Sequence, residues 1–493
     1  MKFTERSLQW FLLFGFILYF QFYHLSSLPY RIWDEARLAT NAYEMSKTGN
    51  LVVTTVNFQP DMWNTKPPLM IWAQAACIKL HGLTEFSVRF PAAFSASLTA
   101  IILFVFITFV TKNGWAGLLA GIVLCTSRGY LDYHGSRYGE FDSMLTLFTT
   151  TYLILFFLYT ESKGTKKDSY LLLFFAALAG GVLTKSVAAL LFSPALLLYL
   201  IFRQQFLETV TNRFFYIGLV GFITVVLGYY LLREHYNPGY IQAVYENELG
   251  GRFLKTNEEH KGPFNYYITH YRTERFSNWI WGLYAAVGLL LFNSRKKNFR
   301  LSLFILLCVS VFVIVISTSQ TKLAWYDLPT YPLFAIILSL LILQVSEIIS
   351  GTFSFLRKKI VFLLLVIIFS AQPTYEAFQM VRYAGDSPDD NLYAFSNFLR
   401  DAIWNNKDLK DYKYISQTYA LQWHLYINRL NDVRNLNFDY ENFSGKNIFK
   451  VGQRIILNED ITREYLETHY NYKLIEESRN IRLYEILNTK ITE

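Results

Sequence analysis

Long apolar runs recur along almost the whole chain and constrain its fold more than any other feature. Runs long enough to cross a bilayer lie at 8–28, 88–110, 115–131, 141–160, 170–184, 187–202, 213–232, 278–293, 300–318, 328–349 and 360–378. A helix needs roughly 20 apolar residues to span the hydrocarbon, so the pattern predicts about eleven spans. We therefore predict a mainly α, polytopic membrane helical bundle.

The composition agrees with a membrane protein and excludes several other classes. The chain is 53% hydrophobic and only 17% charged, and its net charge of +8 suits cytoplasmic loops better than nucleic-acid binding. We therefore predict membrane lipids as partners and no nucleic acid. The cysteines Cys77, Cys125 and Cys308 lie in apolar stretches without paired spacing. They predict neither a disulfide framework nor a zinc knuckle.

The loop charges predict the orientation of the bundle. With the N-terminus in the cytoplasm, the basic segments ESKGTKKDS, SRKKNFR and LRKK all fall inside, as the positive-inside rule requires. The outer side then holds the loops 29–87, 132–140 and 233–277 and everything after about residue 379. The run 8–28 is too long for a signal-peptide core and is interpreted as a retained first span. We expect a multi-pass protein of the bacterial inner (plasma) membrane.

Two parts of the outer side have structure of their own. In the first outer loop, DEARLATNAYEMSKTG and KPPLMIWAQAACIKLHG predict two helices, the second lying at the membrane interface. The composition changes near Tyr383, where alternating stretches such as YKYISQ and RIILNED predict strands. We therefore predict a transmembrane domain over 1–379 and a small extracytoplasmic C-terminal α/β domain over 380–493.

Four polar clusters lie at the ends of apolar runs and on the same outer face. They are RIWDEAR (31–37), NTKPPL (64–69), SRYGEFDSM (136–144) and QTKLAWYDLPTYP (320–332). Charge is costly beside hydrocarbon, so this convergence indicates a reaction site. Asp34, with Glu35 beside it, and Asp142 are the candidate catalytic carboxylates. Asp34 also suits a helix cap, and Asp142 suits the anion favoured at a helix N-terminus.

The cations on this face suit a phosphate-bearing substrate, because they can neutralise a phosphate while the acids act on a nucleophile. The candidate phosphate-binding residues are Lys66, Lys322, Tyr326, Lys185 and Arg37. The candidate vestibule residues are His260, Arg252, His134 and Arg137. Snorkelling explains Lys66 equally well, and surface anchoring explains Lys185. An exposed loop position accounts for His260 and Arg252.

No metal or nucleotide signature accompanies these residues. The sequence contains no P-loop, GxSxG, HExxH or Rossmann fingerprint. No cofactor is required by this chemistry, no metal ligand is predicted, and a divalent cation is not supported by any ligand cluster in the sequence.

The ordered motifs DEAR, KPPL, a carboxylate opening the fourth span, LTK and TKLxxYxLPxYP resemble the multi-spanning C-type glycosyltransferases. More narrowly, they resemble the protein O-mannosyltransferase and aminoarabinose (lipid A) transferase group, over roughly residues 5–350. The resemblance implies the C-type fold and a sugar donor carried on polyprenyl phosphate. It further implies that the acceptor is glycosylated on the non-cytoplasmic face, and the sequence leaves lipid A, a protein and a cell-surface glycan open as acceptors. Our hypothesis for the reaction is direct inverting transfer.

The resemblance also implies roles for individual residues. Asp34 and Asp142 match the family's acidic positions, Lys66, Lys322 and Tyr326 match positions associated with the lipid-linked phosphate, and Lys185 matches the lysine of LTKG. Two positions depart from the pattern: Ser186 replaces the glycine, and Thr65 stands where an acid often precedes KPPL in the aminoarabinose branch. The alternatives are a lipid or sugar transporter (a flippase without chemistry) and a membrane scaffold protein.

Overall fold

A computed structural model describes residues 4–250, 260–290, 296–353, 355, 357–383, 390–418 and 420–490. Helices coincide with every apolar run that the sequence predicts to span the membrane. They are Glu5–Ile17 with a π-helix over Leu18–Phe22, Glu85–Thr111, Gly114–Thr126, Asp142–Glu161, Thr165–Lys185 with a 3-10 helix over Ser186–Leu190, Ser193–Phe202, Arg213–Tyr236, Ile280–Leu290, Lys296–Thr318, Tyr331–Thr352 and Lys358–Arg382. Shorter helical segments are Arg128–Leu131, Phe206–Val210, Tyr240–Val244, Tyr245–Gly250, Tyr266–His270, Tyr271–Arg275 and Ala324–Thr330.

The length and apolarity of these helices make the chain a polytopic membrane protein. Among the described residues, seven helical stretches are long and apolar enough to cross a bilayer. The helices Gly114–Thr126 and Ser193–Phe202 are apolar but shorter. The predicted mainly α bundle is therefore confirmed.

The first outer loop contains both predicted helices, Asp34–Thr48 and Leu69–His81. The first begins after Trp33, which has a φ of 68° and takes the cap position that the sequence assigned to Asp34 or a neighbour. Gly49 follows it at φ 72°, the left-handed conformation that suits glycine at a helix end. A short hairpin of β1 (Thr55–Val56) and β2 (Gln59–Pro60) lies between the two helices.

The C-terminal segment forms the predicted small α/β unit. Its helices are Asp390–Trp404, Leu421–Arg434 and Asp460–His469, and its strands are β3 (Tyr412–Ser416), β4 (Asp439–Asn442), β5 (Arg454–Leu457), β6 (Tyr470–Ser478) and β7 (Ile481–Thr489). The strand order in the sheet is β4-β3-β5-β7-β6. Strand β3 is parallel to β4 and β5, whereas β7 is antiparallel to β5 and β6.

The C-terminal unit packs on the first outer loop through a shared apolar core and polar contacts. The core joins residues such as Ala36 and Met70 of the loop with Leu399 and Leu430 of the C-terminal helices. Apolar burial of this kind stabilises by about 25 cal/mol per Å². Because the loop packs against both the bundle and the C-terminal unit, the polar clusters within it have fixed positions.

Candidate active site

The adjacent carboxylates Asp34 and Glu35 have opposite environments. The Asp34 side chain is 55% exposed, whereas Glu35 is fully buried. The Glu35 carboxylate accepts two hydrogen bonds from Arg89, at 2.7 and 2.8 Å, and one each from the backbone N–H groups of Arg31 and Gly139. Four donors occupy its oxygens, so the geometry gives Glu35 a structural position, while its predicted catalytic role stays a prediction.

The ionised form of Glu35 is the stable one despite its burial. Burial by itself raises the pKa of this carboxyl, but the charge and hydrogen bonds of Arg89, with the N–H groups of Arg31 and Gly139, hold the pKa below its usual value. This ion pair joins the first outer loop, the loop 132–140 and the helix Glu85–Thr111. Asp34 is therefore presented from a fixed backbone.

His134 lies behind Asp34 and is held by its neighbours. Its ring stacks on Trp325 with 3.5 Å between ring centroids, and its Nδ1 contacts the Glu140 carboxylate. Its Nε2 lies 4.0 Å from Asp34 Oδ2. Burial, and then the charge of Asp34, raise the pKa of the adjacent Tyr133 to about 12.

Arg137 turns away from this group, although the sequence places it in the vestibule. Its guanidinium donates to the backbone oxygens of Phe20 and Tyr23, at 2.8 and 2.6 Å. Burial lowers the pKa of Arg137 to about 10. These contacts fasten the loop 132–140 to the first helix, and they favour a structural position for Arg137.

Asp142 and Lys185 form a second, buried pair on the same face. Asp142 is the first residue of its helix, and Lys185 Nζ lies 2.5 Å from its Oδ1. The same ammonium lies 5.4 Å from the centre of the Tyr326 ring. Three residues from three separate motifs of the sequence therefore meet at one point.

Ser186 shows why glycine suits the position after Lys185. Its φ is 49°, in the left-handed region where a residue with a Cβ is strained. The hydroxyl of Tyr230 donates to Ser186 Oγ at 3.0 Å and supports this conformation. The substitution thus preserves the turn that follows Lys185.

Lys66 lies close to this pair and has an acidic neighbour of its own. Its Nζ is 5.6 Å from the centre of the Phe141 ring and 3.5 Å from Glu248 Oε1, which belongs to the outer loop 233–277. The hydroxyl of Thr65 donates to the same Glu248 oxygen at 3.3 Å. Glu248 therefore contacts the predicted phosphate-binding lysine.

Two other predicted phosphate ligands, Arg37 and Lys322, form contacts with other residues of the protein. Arg37 makes a bidentate pair with Asp61, at 2.9 and 3.0 Å. Burial raises the pKa of Asp61, but Arg37 outweighs that effect and holds it below its ordinary value. Lys322 Nζ donates to the backbone oxygen of Ser319 at 2.6 Å. The predicted phosphate contacts of Arg37 and Lys322 stay predictions.

The large outer loop reaches the same face through His260. Its backbone oxygen accepts from the backbone N–H of Lys322 at 2.9 Å, and its side chain is exposed. The other vestibule candidate of this loop, Arg252, lies outside the described residues.

One group on this face has the composition of a cation site. Ligand atoms of Asp34, His134 and Glu140 lie within 4.8 Å of one another. Carboxylate oxygens and an imidazole nitrogen suit several divalent metals. This group, which the sequence did not predict, could hold such an ion.

The four polar clusters of the sequence are therefore joined by one continuous chain of contacts. It runs from Asp34 through His134 and Trp325 to Lys185 and Asp142, and then through Phe141 to Lys66 and Glu248. Sequence reasoning missed Arg89, Trp325 and Glu248. Trp325 stands inside a predicted cluster, whereas no motif marks the other two.

Comparison with known proteins agrees with this fold. The sequence model of the family described as "Dolichyl-phosphate-mannose-protein mannosyltransferase" matches residues 65–230. ArnT from Cupriavidus metallidurans bound to undecaprenyl phosphate superposes with a TM-score of 0.73 over 97% of both chains, at 16% identity. The archaeal oligosaccharyltransferase AglB from Archaeoglobus fulgidus has a TM-score of 0.54 over 88% of this chain and 64% of that one, at 10% identity. The fold is that of the C-type glycosyltransferases, and the predicted resemblance to them is confirmed.

Among sequences, the chain is similar to proteins named undecaprenyl phosphate-alpha-4-amino-4-deoxy-L-arabinose arabinosyl transferase. The protein from Aeromonas hydrophila subsp. hydrophila is 27% identical over 333 residues, 65% of this chain and 58% of the relative. The protein from Erwinia tasmaniensis is 27% identical over 344 residues, 69% of this chain and 60% of the relative. The matches thus span about three fifths of the length of these relatives.

Proposed function

We propose that this protein is a membrane glycosyltransferase. It transfers a sugar from a polyprenyl-phosphate donor to an acceptor by direct inverting transfer. The observation that carries the proposal is the convergence of an exposed carboxylate, Asp34, with the buried pair Asp142–Lys185 and with Lys66 on one face. Acids can activate a nucleophile there while cations receive a phosphate.

The reaction follows from the positions of these groups. An acceptor hydroxyl or amine approaches Asp34, which orients it and takes its proton. The acceptor attacks the anomeric carbon as the bond from that carbon to the phosphate oxygen breaks. The leaving polyprenyl phosphate keeps the bonding electrons, and its charge is stabilised by Lys66, with Lys322 and Tyr326 completing the phosphate contacts.

The proposal also covers the donor, the acceptor and the membrane location of the protein. The names of the similar proteins make undecaprenyl phosphate the first lipid carrier to test, and 4-amino-4-deoxy-L-arabinose the first sugar. Lipid A, a protein or a cell-surface glycan is the acceptor. We place the chain in a bacterial inner membrane with its N-terminus cytoplasmic and the segment 380–493 on the outer side.

The test uses purified full-length protein in liposomes with labelled undecaprenyl-phosphate sugars. We expect labelled sugar to appear on the acceptor, and Lys66→Ala to raise the KM for the donor, because it removes a phosphate contact. A matched control is Lys47→Ala: Lys47 lies in the same loop as Lys66, and its ammonium pairs with Asp432 of the C-terminal unit at 2.8 Å. Movement of the intact donor across the bilayer without transfer would contradict the proposal and favour a transporter.

The acceptor can be identified in cells. Mass spectrometry of glycolipids and glycoproteins from a deletion strain should show the loss of one sugar from one class of molecule. Restoration by the wild-type gene is the control.

A further inference from the structure

Glu248 is a carboxylate placed inside the predicted donor-phosphate site. Its side chain is 8% exposed, and its Oε1 lies 3.5 Å from Lys66 Nζ and 3.3 Å from the Thr65 hydroxyl. An acid at this position is unexpected, because the proposed function asks Lys66 to bind a phosphate. The Lys66 ammonium cannot pair closely with the Glu248 carboxylate and with a phosphate at the same time.

The segment that carries Glu248 packs on the residues that precede Lys66 in the sequence. The Tyr240 hydroxyl donates to the backbone oxygen of Thr65 at 2.8 Å, and Asn247 Nδ2 donates to the backbone oxygen of Met62 at 3.3 Å. Tyr240 is fully buried, whereas Tyr245 and Glu246 are exposed. The segment is therefore anchored at Tyr240 and again at Asn247, and it is exposed between them at Tyr245 and Glu246.

The donor and the released product differ in the charge of their phosphate. A polyprenyl-phosphate sugar is a phosphodiester with one negative charge, whereas the released polyprenyl phosphate is a monoester that carries about −1.5 to −2 near neutral pH. Lys66 therefore binds the product more tightly than the donor. Product release limits the turnover of many enzymes, and a second anion that replaces the product on Lys66 would speed that release.

We propose that Glu248 is that anion: it exchanges with the lipid phosphate on Lys66 and promotes release of the product. This inference rests on the proposed function. The carboxylate pairs with Lys66 in the ligand-free protein, yields it to the donor phosphate, and returns to it as the polyprenyl phosphate leaves. No covalent bond of the protein changes. Glu248 is thus a positioning residue for Lys66.

The direct test is the affinity for undecaprenyl phosphate, the product lipid itself. Glu248→Gln keeps a hydrogen-bond acceptor for Thr65 but removes the competing charge. We expect this variant to bind undecaprenyl phosphate about tenfold more tightly, a change of about 1.4 kcal/mol. In turnover, kcat should fall and product inhibition should strengthen, while KM for the donor should not rise.

Two variants serve as controls. Glu246→Gln alters an exposed carboxylate of the same segment, which accepts from Gln242 at 2.6 Å, and should leave the affinity unchanged. In the double variant with Lys66→Ala, Glu248→Gln should no longer tighten binding, because the charge acts through Lys66.

A second readout does not depend on turnover. Acetylation of the intact full-length protein by an amine-selective reagent, followed by digestion and mass spectrometry of the peptide that contains Lys66, reports the ion pair itself. We expect faster acetylation of Lys66 in Glu248→Gln than in wild type and in Glu246→Gln. An equal rate would overturn the proposal.

The outcomes separate the two proposals. If wild type binds undecaprenyl phosphate and Glu248→Gln binds it equally or more weakly, Glu248 is no exchange ligand and only this inference fails. If wild type binds no polyprenyl phosphate, the proposed function itself fails, and the inference fails with it.

Discussion

Two ion pairs near the candidate site, Glu35–Arg89 and Glu248–Lys66, differ in the geometry of their contacts. In the first outer loop, Glu35 accepts four hydrogen bonds, two of them from Arg89. At the proposed phosphate site, Lys66 and Glu248 stand 3.5 Å apart. A bidentate pair at 2.7 and 2.8 Å holds both partners in one geometry, whereas a longer contact is more readily exchanged for a substrate.

The difference separates neighbours in the sequence. Asp34 and Glu35 are consecutive, yet the first is exposed and the second has no solvent contact. Arg37 and Lys66 are both cations of the same loop, yet Arg37 is held bidentately by Asp61. Residue type alone therefore does not decide which charge is structural and which is available for chemistry.

The largest effect expected from this contrast between exposed and buried charges is a loss of activity when Asp34 is substituted. Asp34→Asn should lower kcat by about 10²–10⁴-fold, because general base catalysis is worth that much. Its unfolding temperature should stay unchanged, since the side chain is 55% exposed. Turnover and thermal unfolding are measured on the same preparation, with the exposed Asp401→Asn as control. Near-normal turnover would remove Asp34 from the mechanism.

The next effect is on stability, at Arg89. Arg89→Met leaves Glu35 as an unpaired buried charge and should cost about 3–5 kcal/mol of unfolding free energy. Thermal or denaturant unfolding in detergent measures the loss. Arg463→Met, which breaks an exposed pair with Asp460, should cost no more than about 1 kcal/mol. Equal losses in the two variants would contradict the structural role of the buried pair Glu35–Arg89.

A smaller, coupled effect is expected at Asp142 and Lys185. Each of Asp142→Asn and Lys185→Met should reduce turnover and stability, because each leaves a buried partner at 2.5 Å without its counter-charge. The double variant should lose less than the sum of the two, by about 1–3 kcal/mol of coupling energy. A double-mutant cycle on the unfolding free energy measures this term, and strict additivity would show that the two groups act independently.

The smallest effect is a dependence of stability on pH. The pKa of Glu35 is lower in the folded protein than in the unfolded chain, where the ordinary value is 4.5. Its stabilisation is therefore complete above that value and is lost as the pH falls through the folded pKa. Wild type should lose unfolding temperature below about pH 4.5 more steeply than Glu35→Gln. Parallel curves would contradict the assignment.

Much of this arrangement follows from the sequence by simple rules. The apolar runs predict the helices because a spanning helix needs about 20 apolar residues, and charge beside hydrocarbon marks a site. The rules do not predict the contacts of Arg89, which lies in an apolar helix, or of Glu248, which lies in a loop without a motif. Their partners are distant in the sequence, and only the folded chain brings them together.

The sequence by itself determined the membrane bundle, the two helices of the first outer loop, the C-terminal α/β unit and the face on which the polar clusters meet. These features depend on local composition and periodicity, which can be read directly from the order of residues. The tertiary structure decided the partner of each charge. It surrounded Glu35 with Arg89 and two backbone N–H groups, left Asp34 open, and placed Glu248 on Lys66. Such pairing depends on distances across the fold, so it becomes visible only when the chain is folded.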